Sequence, residues 1–240
     1  MSDRFDSVYD ALLATWPHPT TVTEIATPYG TTHRVHAVDL VGGPGRSRPG
    51  DRPIRTAADL TAWLDALLDG LGIASAAFCG HSYGAWIALR YALASPARTD
   101  RLVLLDPTGC FAGFRPGYLL RALPMLLRPR PARTAAFLAW ETGGAEYDPA
   151  VRRLDALAAD LPRRRPVTGP RPTAAELSGL RPPVLLLLAG AGRAHDARRV
   201  AAGATALGLR ADIVPAATHH TLPAALGPAE LARIAGFLRD

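Results

Sequence analysis

The sequence predicts an α/β fold: a mostly parallel sheet flanked by helices, interrupted by a helical insertion. Three observations carry that reading. Residues 101–105 and 184–188 are nearly continuous apolar runs, as expected for parallel strands buried on both faces. Helical patterns alternate with such runs; over 56–71, Leu60, Trp63, Leu64, Leu67, Leu68 and Leu71 recur at i, i+3, i+4 and i+7. Between 107 and 181 no convincing strand occurs, and prolines and arginines crowd a stretch with helical patches at 118–127, 133–140 and 150–159.

The elements follow in order. Residues 6–16 carry Val8 or Tyr9, Leu12, Leu13 and Trp16 at helical spacing and stop at Pro17. Residues 21–26 alternate as a strand, Pro28-Tyr29-Gly30 signals a turn, and 33–40 form a second strand. That strand runs into a glycine-rich loop, Val41-Gly42-Gly43-Pro44-Gly45-Arg46-Ser47. The loop lacks both the Gly-Lys-Ser/Thr ending and the G-x-G-x-x-G spacing that phosphate loops need. Thr56 to Asp59 has the spacing of a helix cap, and Gly72 is the stop signal for the helix over 56–71. Ala76-Ala77-Phe78-Cys79 reads as a short buried strand, with Cys79 as a small core residue. The pentapeptide Gly80-His81-Ser82-Tyr83-Gly84 follows, and then a buried helix over 85–92 that ends near Ser95-Pro96. A short strand at 211–214 and an amphipathic helix over 228–238, with proline near its first turn, complete the chain.

A chain of 240 residues suits one domain, 1–240, with the helical insertion at about 107–181. Hydrophobic residues make up 48% and charged residues 20%, ordinary for a globular protein that can bury a core. The net charge of +6 invites a nucleic-acid or membrane partner, yet all 27 basic residues are arginine. Lysine binds phosphate well as a point charge, so its absence points to compositional bias and away from a phosphate-binding surface. The run Arg163-Arg164-Arg165 reads as a solvated loop. Two cysteines cannot build a disulfide framework, the N-terminus lacks a signal-peptide pattern, and the longest apolar run, 184–189, is too short to span a bilayer. The expectation is a soluble, cytoplasmic protein with no nucleic-acid or membrane partner.

A serine on a sharp strand-to-helix turn, with glycines two residues either side, resembles the nucleophile elbow of the α/β-hydrolase superfamily. The resemblance runs from about Val35 to the C-terminus, and the loop after Asp39-Leu40 is similar to the family's Asp-Leu-Pro-Gly-x-Gly-x-Ser segment. It implies a nucleophile, Ser82, followed in chain order by an acid and a histidine. A serine needs a histidine to take its proton and an acid to orient that histidine. The pair His219-His220, just past the last short strand, supplies the base: Thr218-His219 matches the family's approach, while counting back from Leu222-Pro223 selects His220. His219 is the preferred reading.

The family's usual acid position, a Gly-x-x-Asp turn after the strand at 184–188, holds Arg193 here. Asp196 lies farther along the same loop and is the preferred substitute, although it also reads as a helix N-cap before Ala197. Asp106, at the end of an earlier strand, is the other; Asp106-Pro107 also reads as a turn.

A second departure is larger. Relatives carry a strand ending in His-Gly, whose loop supplies the second oxyanion donor. Here residues 27–33 resemble the family's second strand and 35–40 its fourth, joined directly, so roughly 30–40 residues are missing. Unpaired buried backbone costs about 1–3 kcal/mol per group, which predicts parallel pairing of 35–39 with 76–79. Tyr83 N–H would remain as one oxyanion donor, and its partner must come from 41–45 or from nowhere.

The resemblance implies a serine hydrolase acting on a small ester or related acyl substrate, with Ser82, His219 and Asp196 as catalytic residues and no cofactor. Leu119, Leu120, Leu123, Met125, Leu126 and Trp140 are candidate cap contacts. The alternative is a degenerate, non-catalytic member, a binding module or a truncated product, for which the missing strand and the displaced acid argue. No metal is expected: His33 and His36 are three apart on a strand, with no cysteine or carboxylate set beside them.

Overall fold

A computed structural model describes residues 7–8, 10–11, 14, 23–27, 30–34, 38–41, 43, 47–128, 130–145, 149–158 and 166–239. The chain forms two compact units, one from residues 1–73, 124–137 and 146–168, the other from 74–123, 138–145 and 169–240. The insertion expected at 107–181 therefore contributes to both.

In the first unit an antiparallel sheet has the order β1 (Thr23–Thr27), β2 (Gly30–Arg34), β3 (Arg48–Pro49). Thr27 pairs with Gly30, so the hairpin connection is two residues long, where the Pro-Tyr pair signalled a turn. The second strand is described over Gly30–Arg34, so of the expected 33–40 only its first two residues fall within it. Residues 35–37 lie outside the described residues, and with them the predicted pairing of 35–39 with 76–79. Most of the expected helix over 6–16 lies outside them too. Helix α1 (Ala57–Gly70) starts as its sequence requires: Thr56 accepts from Asp59 N–H while the Asp59 carboxylate accepts from Thr56 N–H. Gly72, at φ 67°, takes the left-handed conformation just past its end. Leu60, Trp63, Leu64, Leu67 and Leu68 are buried, the stripe that the periodicity marks.

The second unit is built on a parallel sheet in the order β4 (Ala76–His81), β5 (Thr99–Leu105), β6 (Val184–Ala189), β7 (Arg210–Val214). Helix α2 (Tyr83–Ala94) connects β4 to β5. In chain order between β5 and β6 come α3 (Pro116–Leu127), α4 (Pro131–Glu141), α5 (Pro149–Ala158) and α6 (Ala174–Ser178), of which α5 belongs to the first unit and α3 and α4 are divided between the two. The first three open on proline, whose missing N–H is one that a helix start leaves unpaired anyway. Helix α7 (Ala197–Thr205) links β6 to β7, and α8 (Pro228–Arg239) closes the chain. All six residues of β6 are buried, and Val103, Leu105, Leu185, Leu187, Leu222 and Phe237 share one core cluster.

Cys79 corrects an expectation. Side chains alternate along β4, and Ala77 and Cys79 fall on its exposed face, so the thiol is not a core group. Among the described residues β4 ends the strand order, with β5 as its paired neighbour. Among the described residues no helix is long and apolar enough to cross a membrane.

Candidate active site

The register brings the chemistry together at the carboxyl edge of the parallel sheet. His81 pairs with Leu105, so Ser82 and Asp106 each sit one residue beyond the same rung of adjacent strands. Both have a positive φ, 54° for Ser82 and 43° for Asp106, and among the described residues they are the two non-glycine residues with that conformation. Backbone strain of this kind persists only where the surroundings over-determine it. Ser82 N–H donates to Leu105 O at 2.9 Å, and Asp106 N–H donates to Leu187 O at 2.8 Å, so each turn is anchored to the neighbouring strand.

The elbow depends on one of its two glycines for space. A Cβ at Gly80 would stand 2.5 Å from the Gly84 carbonyl group, a backbone collision. A Cβ at Gly84 would meet nothing within 4 Å. The first glycine thus lets α2 fold back against its own strand; the second is not required for clearance.

His219 lies between the serine and an acid. Its Nε2 is 2.8 Å from Ser82 Oγ and its Nδ1 is 2.6 Å from Asp106 Oδ2. An ionised carboxylate only accepts, so Nδ1 carries the proton and Nε2 is left to accept from the serine hydroxyl. Asp106 is almost fully buried, which by itself would raise its pKa; hydrogen bonds from His195 and His219 outweigh burial and hold it well below the usual carboxylate range. Its Oδ1 also accepts from Ala189 N–H at 3.0 Å and from His195 Nε2 at 3.0 Å. The carboxylate is therefore fixed from three sides. A hydroxyl, an imidazole and an oriented carboxylate in this sequence can move a proton from oxygen to nitrogen while the oxygen attacks an electrophile.

Asp196 is not part of this arrangement. It is the N-cap of α7, accepting from Arg199 N–H at 3.1 Å, and its half-exposed side chain lies 3.4 Å from Arg115. The Arg199 N–H bond lowers its pKa, as for any good cap. The carboxylate at His219 is Asp106 because a strand end beside the elbow strand delivers it directly, whereas the loop after β6 turns into a helix that uses Asp196 to start. His220 points elsewhere, with Nδ1 2.9 Å from Glu141 Oε2.

Sequence reading missed three further groups. His195, 3% exposed, backs Asp106. His81 donates from Nε2 to the His219 carbonyl at 2.7 Å; burial, and then the His219 charge, pull its pKa down to about 4, so it is neutral near pH 7. Glu141, with no exposure, sits against the 218–220 loop. A signal for Glu141 existed: it follows Phe137 and Leu138 by four and three residues, on the buried face of α4. Tyr118 faces the same region, its ring 6.1 Å from that of Trp140, and burial with the charges of Glu141 and Asp106 raises its pKa. Residues 42 and 44–46 of the loop expected to give a second oxyanion donor lie outside the described residues. Among the described residues no group of three or more His, Cys, Asp or Glu side chains could hold a metal ion.

Known proteins resemble the chain in sequence and fold. The chain is 26% identical to carboxylesterase YbfK of Bacillus subtilis across 60% of this chain and 60% of that protein. It is 37% identical to lipase LipV of Mycobacterium tuberculosis across 55% of this chain and 50% of LipV. It thus spans between half and two thirds of the length of these curated relatives. Among solved structures, carboxylesterase CesB (YbfK) of B. subtilis superposes with a TM-score of 0.87 at 23% identity, covering 98% of this chain and 97% of that one. The naproxen esterase (carboxylesterase NP) of B. subtilis gives a TM-score of 0.83 at 23% identity, covering 99% of both chains. At such identities the structures share the fold. The family model for the α/β hydrolases matches residues 13–234, and the chain belongs to the α/β hydrolase family.

Proposed function

We propose that the protein is a serine esterase acting on small carboxylic esters, with Ser82 as nucleophile, His219 as general base and Asp106 as the orienting acid. The observation that carries this is the unbroken chain of contacts from Ser82 Oγ through His219 to Asp106, at 2.8 and 2.6 Å. Ser82 Oγ attacks the ester carbonyl and its proton passes to His219 Nε2. Asp106 stabilises the resulting imidazolium. The tetrahedral oxyanion is received by the N–H of Tyr83, the first residue of α2, where the helix start favours negative charge. Collapse expels the alcohol, which takes the proton back from His219, and leaves an acyl-Ser82 ester. Water then repeats the sequence, and the carboxylic acid departs. Tyr118 and Trp140, in the insertion between β5 and β6, are the candidates for shaping the acyl side. The names of the relatives, carboxylesterase and lipase, support the substrate class.

The test is labelling by a fluorophosphonate alongside hydrolysis of p-nitrophenyl acetate, for the wild type and for Ser82→Ala. Wild type should label and turn over, and the variant should do neither. A folded wild type that never labels would overturn the proposal in favour of a non-catalytic binding role.

A further inference from the structure

We propose that Glu141 is a positioning residue for His219: its buried carboxylate clamps the histidine loop so that Nε2 stays within reach of Ser82. The inference rests on the serine-hydrolase reading and adds to it a part played by the insertion, since Glu141 is the last residue of α4.

A carboxylate with no exposure survives in a fold only if its oxygens are satisfied. Glu141 is satisfied entirely from residues 218–220. Oε1 accepts from His219 N–H at 3.0 Å. Oε2 accepts from His220 N–H at 3.2 Å, from His220 Nδ1 at 2.9 Å and from Thr218 Oγ1 at 3.2 Å. These are charge-assisted bonds, the stronger kind. Burial alone would raise the Glu141 pKa, but the hydrogen bond and charge of His220 outweigh it and hold the carboxyl below its ordinary value. The group is thus a fixed anion.

The consequence for His219 is a complete set of restraints. Its N–H goes to Glu141, its carbonyl receives His81 Nε2 at 2.7 Å, its Nδ1 meets Asp106 and its Nε2 meets Ser82. Two of these bonds set the ring's hydrogen-bonding chemistry. The other two, from Glu141 and His81, fix the main chain that carries the ring. A loop after a strand end has no ladder of its own to hold it, so without Glu141 one side of that grip is lost. A displacement near 1 Å between reacting groups can cost about a hundredfold in rate.

Glu141→Gln is nearly isosteric, removes the charge and replaces one acceptor oxygen with a donor that opposes the loop's own donors. We expect its kcat for p-nitrophenyl acetate and its rate of fluorophosphonate labelling at Ser82 to fall about ten- to a hundredfold, with KM within about twofold. Hydrogen exchange at the His219 and His220 amides should quicken while β5 and β6 amides keep their protection. If Glu141→Gln does not fold, Glu141→Asp, which keeps the charge but shortens the reach, takes its place in the same measurements. An unchanged labelling rate and kcat would overturn the proposal. So would exchange that quickens equally across β5 and β6, which is general destabilisation. Failure of the hydrolase reading looks different: wild type then neither labels nor turns over, and the exchange at 219–220 alone decides whether the clamp exists.

Discussion

At the scale of single residues, two aspartates compete for one role, and their surroundings separate them. Asp106 is buried under three hydrogen bonds, one of them from His219, while Asp196 stands at the surface as a helix cap. Asp106→Asn should lower kcat by roughly 10⁴, because an amide cannot stabilise the imidazolium and favours the wrong tautomer. Asp196→Asn should leave kcat unchanged, since asparagine caps a helix as well as aspartate does. Parallel steady-state kinetics on the two variants decide between the carboxylates; equal losses would put the acid in doubt. The sequence reading preferred Asp196, and the structure places Asp106 at His219 instead. Asp106 and His219 are 113 positions apart, and only the β4–β5 register shows that the end of β5 lies beside the elbow.

At the scale of the element, the strand-to-helix turn around Ser82 has unequal demands on its two glycines. Gly80→Ala would drive a Cβ into the backbone of Gly84 and Ala85 at 2.5–2.6 Å, with no flexible side chain able to yield. It should unfold the chain or lower its thermal midpoint severely. Gly84→Ala meets open space in the first turn of α2 and should be neutral or stabilise by up to about 1 kcal/mol. Thermal melts of the two variants read this contrast directly; equal destabilisation would mean that the turn needs both glycines. The pentapeptide pattern marked the turn but could not say which glycine was indispensable. By the same logic, the helix start written in local chemistry was legible, the Thr56–Asp59 box, whereas the patches at 118–127, 133–140 and 150–159 marked helices without the prolines at 116, 131 and 149 that open them. The short helix Ala174–Ser178 carries too few residues to show a period and was not expected, though its Thr173–Glu176 capping box was there to be read.

At the scale of the whole molecule, acid sensitivity follows from the buried groups around the site. His81 has its pKa lowered from 6.5 to about 4, so between those values the unfolded chain binds the proton more readily. Its contribution to stability is complete above pH 6.5 and is lost as pH falls towards 4. Asp106, also lowered, extends the loss below pH 3.8. Denaturant midpoints should therefore fall between pH 7 and pH 4, and His81→Gln should flatten that slope; an identical slope in the variant would remove His81 from the account. The middle of the parallel sheet was legible because β5 and β6 contain apolar runs, which burial on both faces enforces. The site was legible in its serine and histidine, which sit in local patterns. Its acid, His195 and Glu141 were not, because each reaches the site through contacts between distant segments.

The seat of the proposed acid at the end of β5 has a consequence for how this protein can change. The family resemblance implied a carboxylate in the loop after the next strand, where Arg193 stands instead. In the proposed relay the exposed positions of that loop play no part, while its buried His195 backs Asp106. Ala191 and Arg193 face solvent, and Arg193 lies 4.9 Å from the centre of the Trp140 ring. If the proposed function holds, substitutions at Arg193 alter what borders Trp140 without touching the Ser82–His219–Asp106 contacts, which leaves selection a place to change substrate preference.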